Sequence, residues 1–564
     1  MYSDKENINI LTALLVAHGV RHAVVCPGSR NAPIVHNLYE AKDICCLPVT
    51  DERSAGFQAL GIAQATQQPV VVCVTSGTAL LNLAPAVAEA FYQHIPMVVV
   101  SADRPRRWID QLDGQTLPQE GALKPFVRKA VALPAVIAGD EERWYCNRLV
   151  NEALVEAGGK MASLKAVVAG PVHINVPLEE PLFNFNTPCL PDERVIGKID
   201  KGVGKANYSF LEQLLRRAER PMVVVGQHEP INDGATGTSI LRTMAVVVAE
   251  RLAGWPDAAR PVDEALTLVA GDDDFLPDTI FYFGGTLVSK RLKQFMRKVG
   301  QNATVVQVTP DGQLRDVTMH LDYLCVGSLE GFIAYLGREA ADAIGTSNAF
   351  QQRWEGLFAH VRATMDDECP PFSQLAVVRY FEQQLEDMEY PFHLHYANSM
   401  PVRLANSLAG QHVWCNRGVN GIEGSLSTAA GFSIAVNDMV FCVIGDLSFF
   451  YDQNALWNQN LKGNLRIILL NNGKGGIFNS LPGLEQSPAR DTLVAARHHT
   501  TAQGICTQND VGYLKADNTF DMQRGVVALL TENRSRPMLL EVFTDPENDA
   551  KALKTHFKAF HKTP

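Results

Sequence analysis

The 564-residue sequence predicts an α/β protein of three doubly wound parallel-sheet domains, at residues 1–185, 200–345 and 372–564. Two observations predict it. Short apolar runs alternate with helical spacing in three successive blocks, the pattern of βαβ units. Proline-punctuated stretches, Pro181 to Lys201 and Pro370-Pro371, separate the blocks.

In the first block, Asn7 to Val20 has helical spacing, and Ala23-Val24-Val25 reads as a strand ending in the turn Cys26-Pro27-Gly28-Ser29-Arg30-Asn31. Ile44 to Val49 is a second strand, and a helix starts across Thr50 to Gly56 and runs through Ala59 and Ala63. Val70 to Val74 leads into Thr75-Ser76-Gly77-Thr78-Ala79 and a small-residue helix. Met97 to Val100 ends at Ser101-Ala102-Asp103-Arg104-Pro105, and Gly170 to Pro177 is the last strand. The second block has strands at Met222 to Val225, Thr279 to Phe283 and Thr304 to Val308, and turns helical after Ile344. The third starts near Ser373, a helix cap, and closes with Met538 to Phe543.

Two apolar runs in the third block, Phe441 to Ile444 and Leu465 to Leu470, bracket a helix-compatible segment, Tyr451 to Asn460. One run ends in Gly445-Asp446 and the other in Asn471-Asn472. In a parallel sheet both ends fall on the carboxyl edge, where α/β proteins bind ligands, so Asp446 and Asn472 are expected to be neighbours. A carboxylate, an amide oxygen and a carbonyl turned in by the loop Gly473-Lys474-Gly475-Gly476 make hard oxygen ligands suited to Mg²⁺ and a diphosphate. Gly445 lets the diphosphate approach the main chain. Each dipeptide alone also suits an ordinary turn.

Composition bounds the function. A net charge of -11 argues against nucleic-acid or anionic-membrane binding, and no apolar run approaches a bilayer span. Eleven cysteines without a Cys-x-x-Cys pair, and acidic residues where a signal peptide would be basic, suggest reduced thiols in the cytoplasm.

Gly-Asp followed about 25 residues later by Asn-Asn resembles the cofactor motif of thiamine-diphosphate enzymes, whose pyrimidine, central and diphosphate domains follow the order of these three blocks. The resemblance implies that Asp446, Asn472 and the carbonyl of Lys474 bind Mg²⁺ or Mn²⁺, and that Gly445, Leu447, Ser448, Ser399 and Gly421 contact thiamine diphosphate. Leu447 stands where most of the superfamily has Gly. It implies further that Glu52 activates the aminopyrimidine, that Ile422 bends the cofactor from beneath, and that sites form between two chains of a homodimer or dimer of dimers. A Glu in the first turn of a helix is also what the helix dipole favours.

Gly-Asp-Leu-Ser, together with Cys-Pro-Gly-Ser-Arg, Asp-Glu-Arg, Thr-Ser-Gly-Thr-Ala, Ala-Asp-Arg-Pro, Lys-Arg-Leu, Asn-Ser-x-x-x-Arg and Asn-Arg-Gly-x-x-Gly-Ile in order, resembles the 2-succinyl-5-enolpyruvyl-6-hydroxy-3-cyclohexene-1-carboxylate (SEPHCHC) synthases of menaquinone biosynthesis. That resemblance implies decarboxylation of 2-oxoglutarate and 1,4-addition of the resulting succinyl carbanion equivalent to isochorismate. Arg30, Arg104, Lys290, Arg291, Arg403 and Arg417, all in loops at strand ends, would form a cationic bowl for the substrates' carboxylates. Ser29, Gln115 and Ser399 would contact substrate, and Ile477 and Phe478 would wall the ring. Leu112-Asp113 before Gln115 differ from the family's usual Gly-Ala. The runner-up within the cofactor class is a carboligase or decarboxylase acting on pyruvate. From another class, a non-catalytic nucleotide-binding protein lacks support, since neither a phosphate-loop nor a Gly-x-Gly-x-x-Gly fingerprint follows a strand.

Overall fold

The structure is a computed structural model and describes residues 1–158, 168–197, 204–231, 236–256, 261–269, 271–340, 348–481 and 483–560. The expected domain limits at 200, 345 and 564, the linker end at Lys201, and Ile344 lie outside them.

Three all-parallel sheets organise the chain. The first contains β1 (His22–Val25), β2 (Cys45–Pro48), β3 (Val70–Val74), β4 (Met97–Asp103), β5 (Lys129–Ala132) and β6 (Pro171–Pro177), in the order β2-β1-β3-β4-β6-β5. The second contains β7 (Pro221–Val225), β8 (Val246–Ala249), β9 (Thr279–Phe283), β10 (Thr304–Thr309) and β11 (Tyr323–Val326), in the order β11-β10-β9-β7-β8. The third contains β12 (Phe392–Tyr396), β13 (Val413–Trp414), β14 (Met439–Gly445), β15 (Leu465–Asn471), β16 (Gly512–Ala516) and β17 (Met538–Phe543), in the order β13-β12-β14-β15-β17-β16. Each sheet is covered on both faces by its own apolar clusters, as parallel sheets require.

The first and third sheets repeat one strand order: second, first, third, fourth, sixth, fifth. In both, the order reverses beside the first strand, between β1 and β3 and between β12 and β14. A crevice opens at such a reversal, and the loops at the carboxyl ends of those strands flank it. Gly28 and Thr75 show how closely the first pair of loops meets. A Cβ on Gly28 would lie 2.4 Å from the Thr75 side chain.

The two repeated units pack through their helices Glu52–Thr66 and Ser425–Ala435. Glycine makes the contact from both sides. A Cβ on Gly61 would come within 2.0 Å of the Thr428 carbonyl oxygen, and one on Gly431 within 2.1 Å of the Gln58 carbonyl oxygen. The spacing is reciprocal, each glycine lying three residues after the carbonyl that its counterpart meets. Small residues in both helices therefore serve backbone approach, and Gly424 adds to it by facing the ring of Phe57.

A second tie crosses the other two units. His556, buried on the C-terminal helix Pro546–Lys558, lies between Glu264 of the central unit (3.0 Å) and Glu368 (2.6 Å), and Arg379 pairs with Glu368 at 2.7 Å. Burial opposes the imidazolium, but hydrogen bonds and charge from Glu264 and Glu368 outweigh it and push the pKa up to about 9.

Several boundaries differ from expectation. The segment Tyr451 to Asn460 is not the connecting helix: the helix is Asp446–Tyr451, starting at the strand end, followed by a 3₁₀ turn Gln453–Leu456. Asp452 ends it, because its buried carboxylate accepts the N–H (2.8 Å) and hydroxyl (2.7 Å) of Ser427. β4 runs three residues past Val100, since Ser101, Ala102 and Asp103 pair with Asn175, Val176 and Pro177. Strands β5, β8, β11, β12, β13 and β16 were not expected; most are short or carry charged and polar residues. Ser373 does cap its helix, accepting the Ala376 N–H at 3.3 Å.

Two outcomes follow. Gly61→Ala, which helix propensity alone would favour by about 0.5–1 kcal/mol, should instead destabilise by about 1–3 kcal/mol as the helices are forced apart; the urea midpoint measures it, and an unchanged midpoint contradicts the crossing. The stability from His556 is fully present below its unfolded pKa and is lost as pH rises through the folded one. Between pH 7 and 9.5 the wild type should therefore lose on the order of 2 kcal/mol more than His556→Gln, again by urea unfolding.

Candidate active site

At the β14 edge, Asp446 is buried, with its Oδ2 accepting the N–H groups of Asn472 (3.2 Å) and Gly473 (2.9 Å) and its Oδ1 that of Leu447 (2.7 Å). The neighbourhood expected of Asp446 and Asn472 is thus a direct contact. His498 Nε2 stands 3.4 Å from the same Oδ2. Asn472 donates its amide N–H to Asp549 at 2.9 Å, and its Oδ1 takes no hydrogen bond among the described residues. Gly473, with φ of 74°, turns the chain, and the loop closes through Gly475 N–H to Ala495 O and His498 N–H to Gly473 O, both 2.8 Å. Lys474 is buried and its ammonium pairs with Asp491 at 3.2 Å. Phe478 lies over Gly475, where a Cβ would meet its ring at 2.8 Å, and Ile477 beside it is half-buried.

A Cβ on Gly445 would meet nothing within 4 Å, so the crevice is open where an anion would approach. A buried carboxylate, an amide oxygen without a donor and an open glycine edge form a donor set that fits a hard divalent cation and a diphosphate. Ser448, buried in the next turn, and Leu447 complete that edge. Across the crevice, Ser399 sits at the end of β12 with φ 77° and ψ −125°, a strained conformation for a residue with a side chain.

Ile422 and Gly421 belong to the loop Asn416 to Gly424, which is held from all three units. Glu89, buried on the helix Ala84–Gln93, accepts the N–H groups of Gly418 (2.6 Å) and Val419 (2.7 Å). Burial raises the Glu89 pKa, and those two N–H groups oppose the rise. Asn398 donates to the carbonyls of Asn416 and Gly421, at 2.5 and 2.7 Å, while Arg417 donates to Asn398 (3.1 Å) and to the Leu287 carbonyl (3.2 Å). Ile422 itself is 41% exposed.

Glu52 is the first residue of its helix, half-buried, behind an Asp51 cap that accepts the Arg53 and Ser54 N–H groups. Asp51 also accepts from Asn454 (2.7 Å), and Arg53 donates to the Tyr451 carbonyl (2.9 Å), so Glu52 stands beside the segment that follows the Asp446 helix. Among the described residues, no hydrogen bond or ion pair joins Glu52 to Asp446, Asn472 or Lys474 of its own chain.

The cations form two groups. Arg30, buried, pairs with Glu180 at 2.9 Å; Arg104 pairs with Asp113 at 3.2 Å and stands 3.9 Å from the same Glu180 oxygen. Ser29 is exposed beside Arg30, and Gln115 packs against Gly77, which places the Asp113-Gly114-Gln115 loop in this crevice. The second group lies between the central and third units. Asp263 feels both Arg291 and Arg403, and burial, then Arg417, lowers the Arg403 pKa. Lys290, Arg291 and Arg403 were expected in loops but lie in helices: Lys290 and Arg291 open the helix Lys290–Val299 and Arg403 is in the first turn of Met400–Leu408. The loop before the former is held by Glu250 accepting the N–H groups of Val288 (2.6 Å) and Ser289 (2.7 Å). Burial pushes Glu250 up to about 7. Arg291 also lies 4.3 Å over the Phe557 ring. One bowl was expected; among the described residues no contact joins the two groups within a single chain.

Asp549, Glu89, Glu250 and Asp452 were not singled out from the sequence. Their signal is faint: an acid at the end of an apolar strand (Glu250) or in an otherwise apolar helix (Glu89), where it must find donors.

Residues 8–124 match the family described as thiamine pyrophosphate enzyme, N-terminal TPP binding domain. A 2-succinyl-5-enolpyruvyl-6-hydroxy-3-cyclohexene-1-carboxylate synthase of Bacteroides fragilis is 42% identical over 99% of both chains, and one of Phocaeicola vulgatus is 40% identical over 99% of both. One of Desulfotalea psychrophila is 35% identical over 96% of this chain and 99% of its own. Among the described residues no helix is long and apolar enough to cross a membrane.

Removing the Glu89 carboxylate leaves the Gly418 and Val419 N–H groups without the acceptor that holds them. Glu89→Ala should cost at least about 2 kcal/mol and release the loop, so that trypsin cuts after Arg417, which the wild type shields. Equal protection in both proteins would contradict the clamp.

Proposed function

The chain belongs to the 2-succinyl-5-enolpyruvyl-6-hydroxy-3-cyclohexene-1-carboxylate synthase family of thiamine-diphosphate enzymes, and from that premise we propose that it decarboxylates 2-oxoglutarate and adds the remaining four-carbon unit in a 1,4 sense to isochorismate, a step of menaquinone biosynthesis. The observation that carries the reading is the cationic lining of the strand ends, Arg30 with Arg104 and Arg291 with Arg403 and Arg417, in a chain of net charge -11. Two dicarboxylate substrates call for such a lining and pyruvate does not.

Thiamine diphosphate, when bound, supplies the nucleophilic carbon and the electron sink. Asp446, the Asn472 side chain and the Lys474 carbonyl hold Mg²⁺ or Mn²⁺ against the diphosphate, with Gly445, Leu447 and Ser448 beside it. Glu52 meets the aminopyrimidine ring nitrogen, where a positioned carboxyl group can pass a proton. Ile422, with Gly421, supports the cofactor from beneath, and its exposure in the single chain suits a residue that a ligand covers. The arginines and Lys290 pair with substrate carboxylates, bidentately where Arg is used. Ser29, Gln115 and Ser399 orient the substrates by hydrogen bonds. Ile477 and Phe478 exclude water from the ring's side.

Two copies of the chain complete each site in this reading, Glu52 from one meeting the metal anchor of the other, in a homodimer or dimer of dimers in the cytoplasm. Among the described residues Glu52 makes no hydrogen bond or ion pair to its own chain's anchor, which supports this, and so does the division of the cations into two groups.

A coupled assay tests the reaction. Isochorismate consumption with CO₂ release should require 2-oxoglutarate, thiamine diphosphate and Mg²⁺ together. Glu52→Gln should lose about 10²–10⁴-fold in turnover, and Ile422→Ala should slow turnover with its unfolding curve unchanged. Turnover of pyruvate alone, or full activity in Glu52→Gln, would contradict the proposal.

A further inference from the structure

The amide of Asn472 can serve as a metal ligand in only one of its two orientations. Its nitrogen and oxygen sit on the same carbon, and rotation about the last bond exchanges them at little cost unless something distinguishes donor from acceptor. Asp549 supplies the distinction. One carboxylate oxygen accepts the Asn472 N–H at 2.9 Å and the Thr544 hydroxyl at 2.8 Å, and the other accepts the Gln374 backbone N–H at 2.8 Å. Both Asp549 oxygens are engaged by donors, so the nitrogen of Asn472 faces the carboxyl group and its oxygen turns away. Gly476 leaves room for that amide, since a Cβ there would lie 2.9 Å from the Asn472 nitrogen.

The support behind Asp549 is rigid. It stands in the first turn of the helix Pro546–Lys558, which is capped by Asp545 through the Glu547 and Asn548 N–H groups, both at 2.9 Å. Two turns further on, His556 is pinned between Glu264 and Glu368. The helix is therefore fixed at both ends, and the central unit contributes one of the fixings.

We propose that Asp549 is a positioning residue that holds the Asn472 amide with its oxygen toward the metal and diphosphate. The inference rests on the reading of Asp446 and Asn472 as a metal anchor. In Asp549→Asn the new amide keeps an oxygen for the Gln374 N–H and turns its nitrogen toward Asn472. Asn472 then flips and offers the metal an N–H. Exchanging the pair, Asn472→Asp with Asp549→Asn, preserves charge and volume. It restores both the hydrogen bond and an oxygen facing the metal.

Direct binding of Mn²⁺, followed by its electron paramagnetic resonance signal at a fixed excess of thiamine diphosphate, tests this without turnover. Wild type, Asp446→Asn, Asp549→Asn and the exchanged pair are compared, with urea unfolding of each. Asp549→Asn should bind Mn²⁺ about 10–100-fold more weakly, and the exchanged pair should recover most of that loss. Unaltered affinity in Asp549→Asn, or no recovery in the exchanged pair, overturns the positioning role; should the single variant not fold, the exchanged pair decides alone. Wild-type affinity in Asp446→Asn would instead overturn the metal-anchor reading itself.

Discussion

A buried carboxylate that accepts two consecutive backbone N–H groups is the interaction on which this structure's loops depend. Asp446 holds Asn472 and Gly473, Glu89 holds Gly418 and Val419, and Glu250 holds Val288 and Ser289. Each acid lies far along the chain from the loop it holds. Glycine-rich loops have much conformational freedom to lose, and a charge-assisted pair of hydrogen bonds offsets that loss better than neutral ones do. Burial raises the pKa of Glu89 and Glu250, while the N–H groups favour the charged form. The outcome is three ordered loops that carry, or lead straight into, residues assigned to cofactor or substrate.

The glycine crossing of the helices Glu52–Thr66 and Ser425–Ala435 places those loops relative to one another. Because Gly61 and Gly431 admit the opposing carbonyls, the first and third sheets come together with the same strand order on each side. Glu89 reaches Gly418 across that junction. The central unit then closes the junction through Gln227, which donates to Gln93 and to the Cys415 carbonyl.

Much of the fold is legible in the sequence wherever a residue's reason is local. Val70–Val74 and Thr279–Phe283 are uniformly apolar or β-branched, Met538–Phe543 is so apart from Glu541, and all three take their expected limits. Asp446 meets Asn472 because a parallel sheet aligns its carboxyl ends, and that follows from order alone. What escapes is non-local. Asp452 stops a helix through Ser427, and β4 is extended by a partner strand some seventy residues away. Asp549 matters only through Asn472, seventy-seven positions before it. Charge spacing likewise suggested one cationic bowl where a single chain has two groups, because sequence does not say which strand ends share a crevice.

The central claim is that Glu52 of one chain serves the Asp446 anchor of another. Coexpressing Glu52→Gln and Asp446→Asn chains under separate tags and isolating the doubly tagged assembly measures this directly. The account predicts that the mixed assembly recovers activity that neither variant has alone, since one of its sites carries both unaltered residues. Mixed assemblies as inactive as their parents would contradict it.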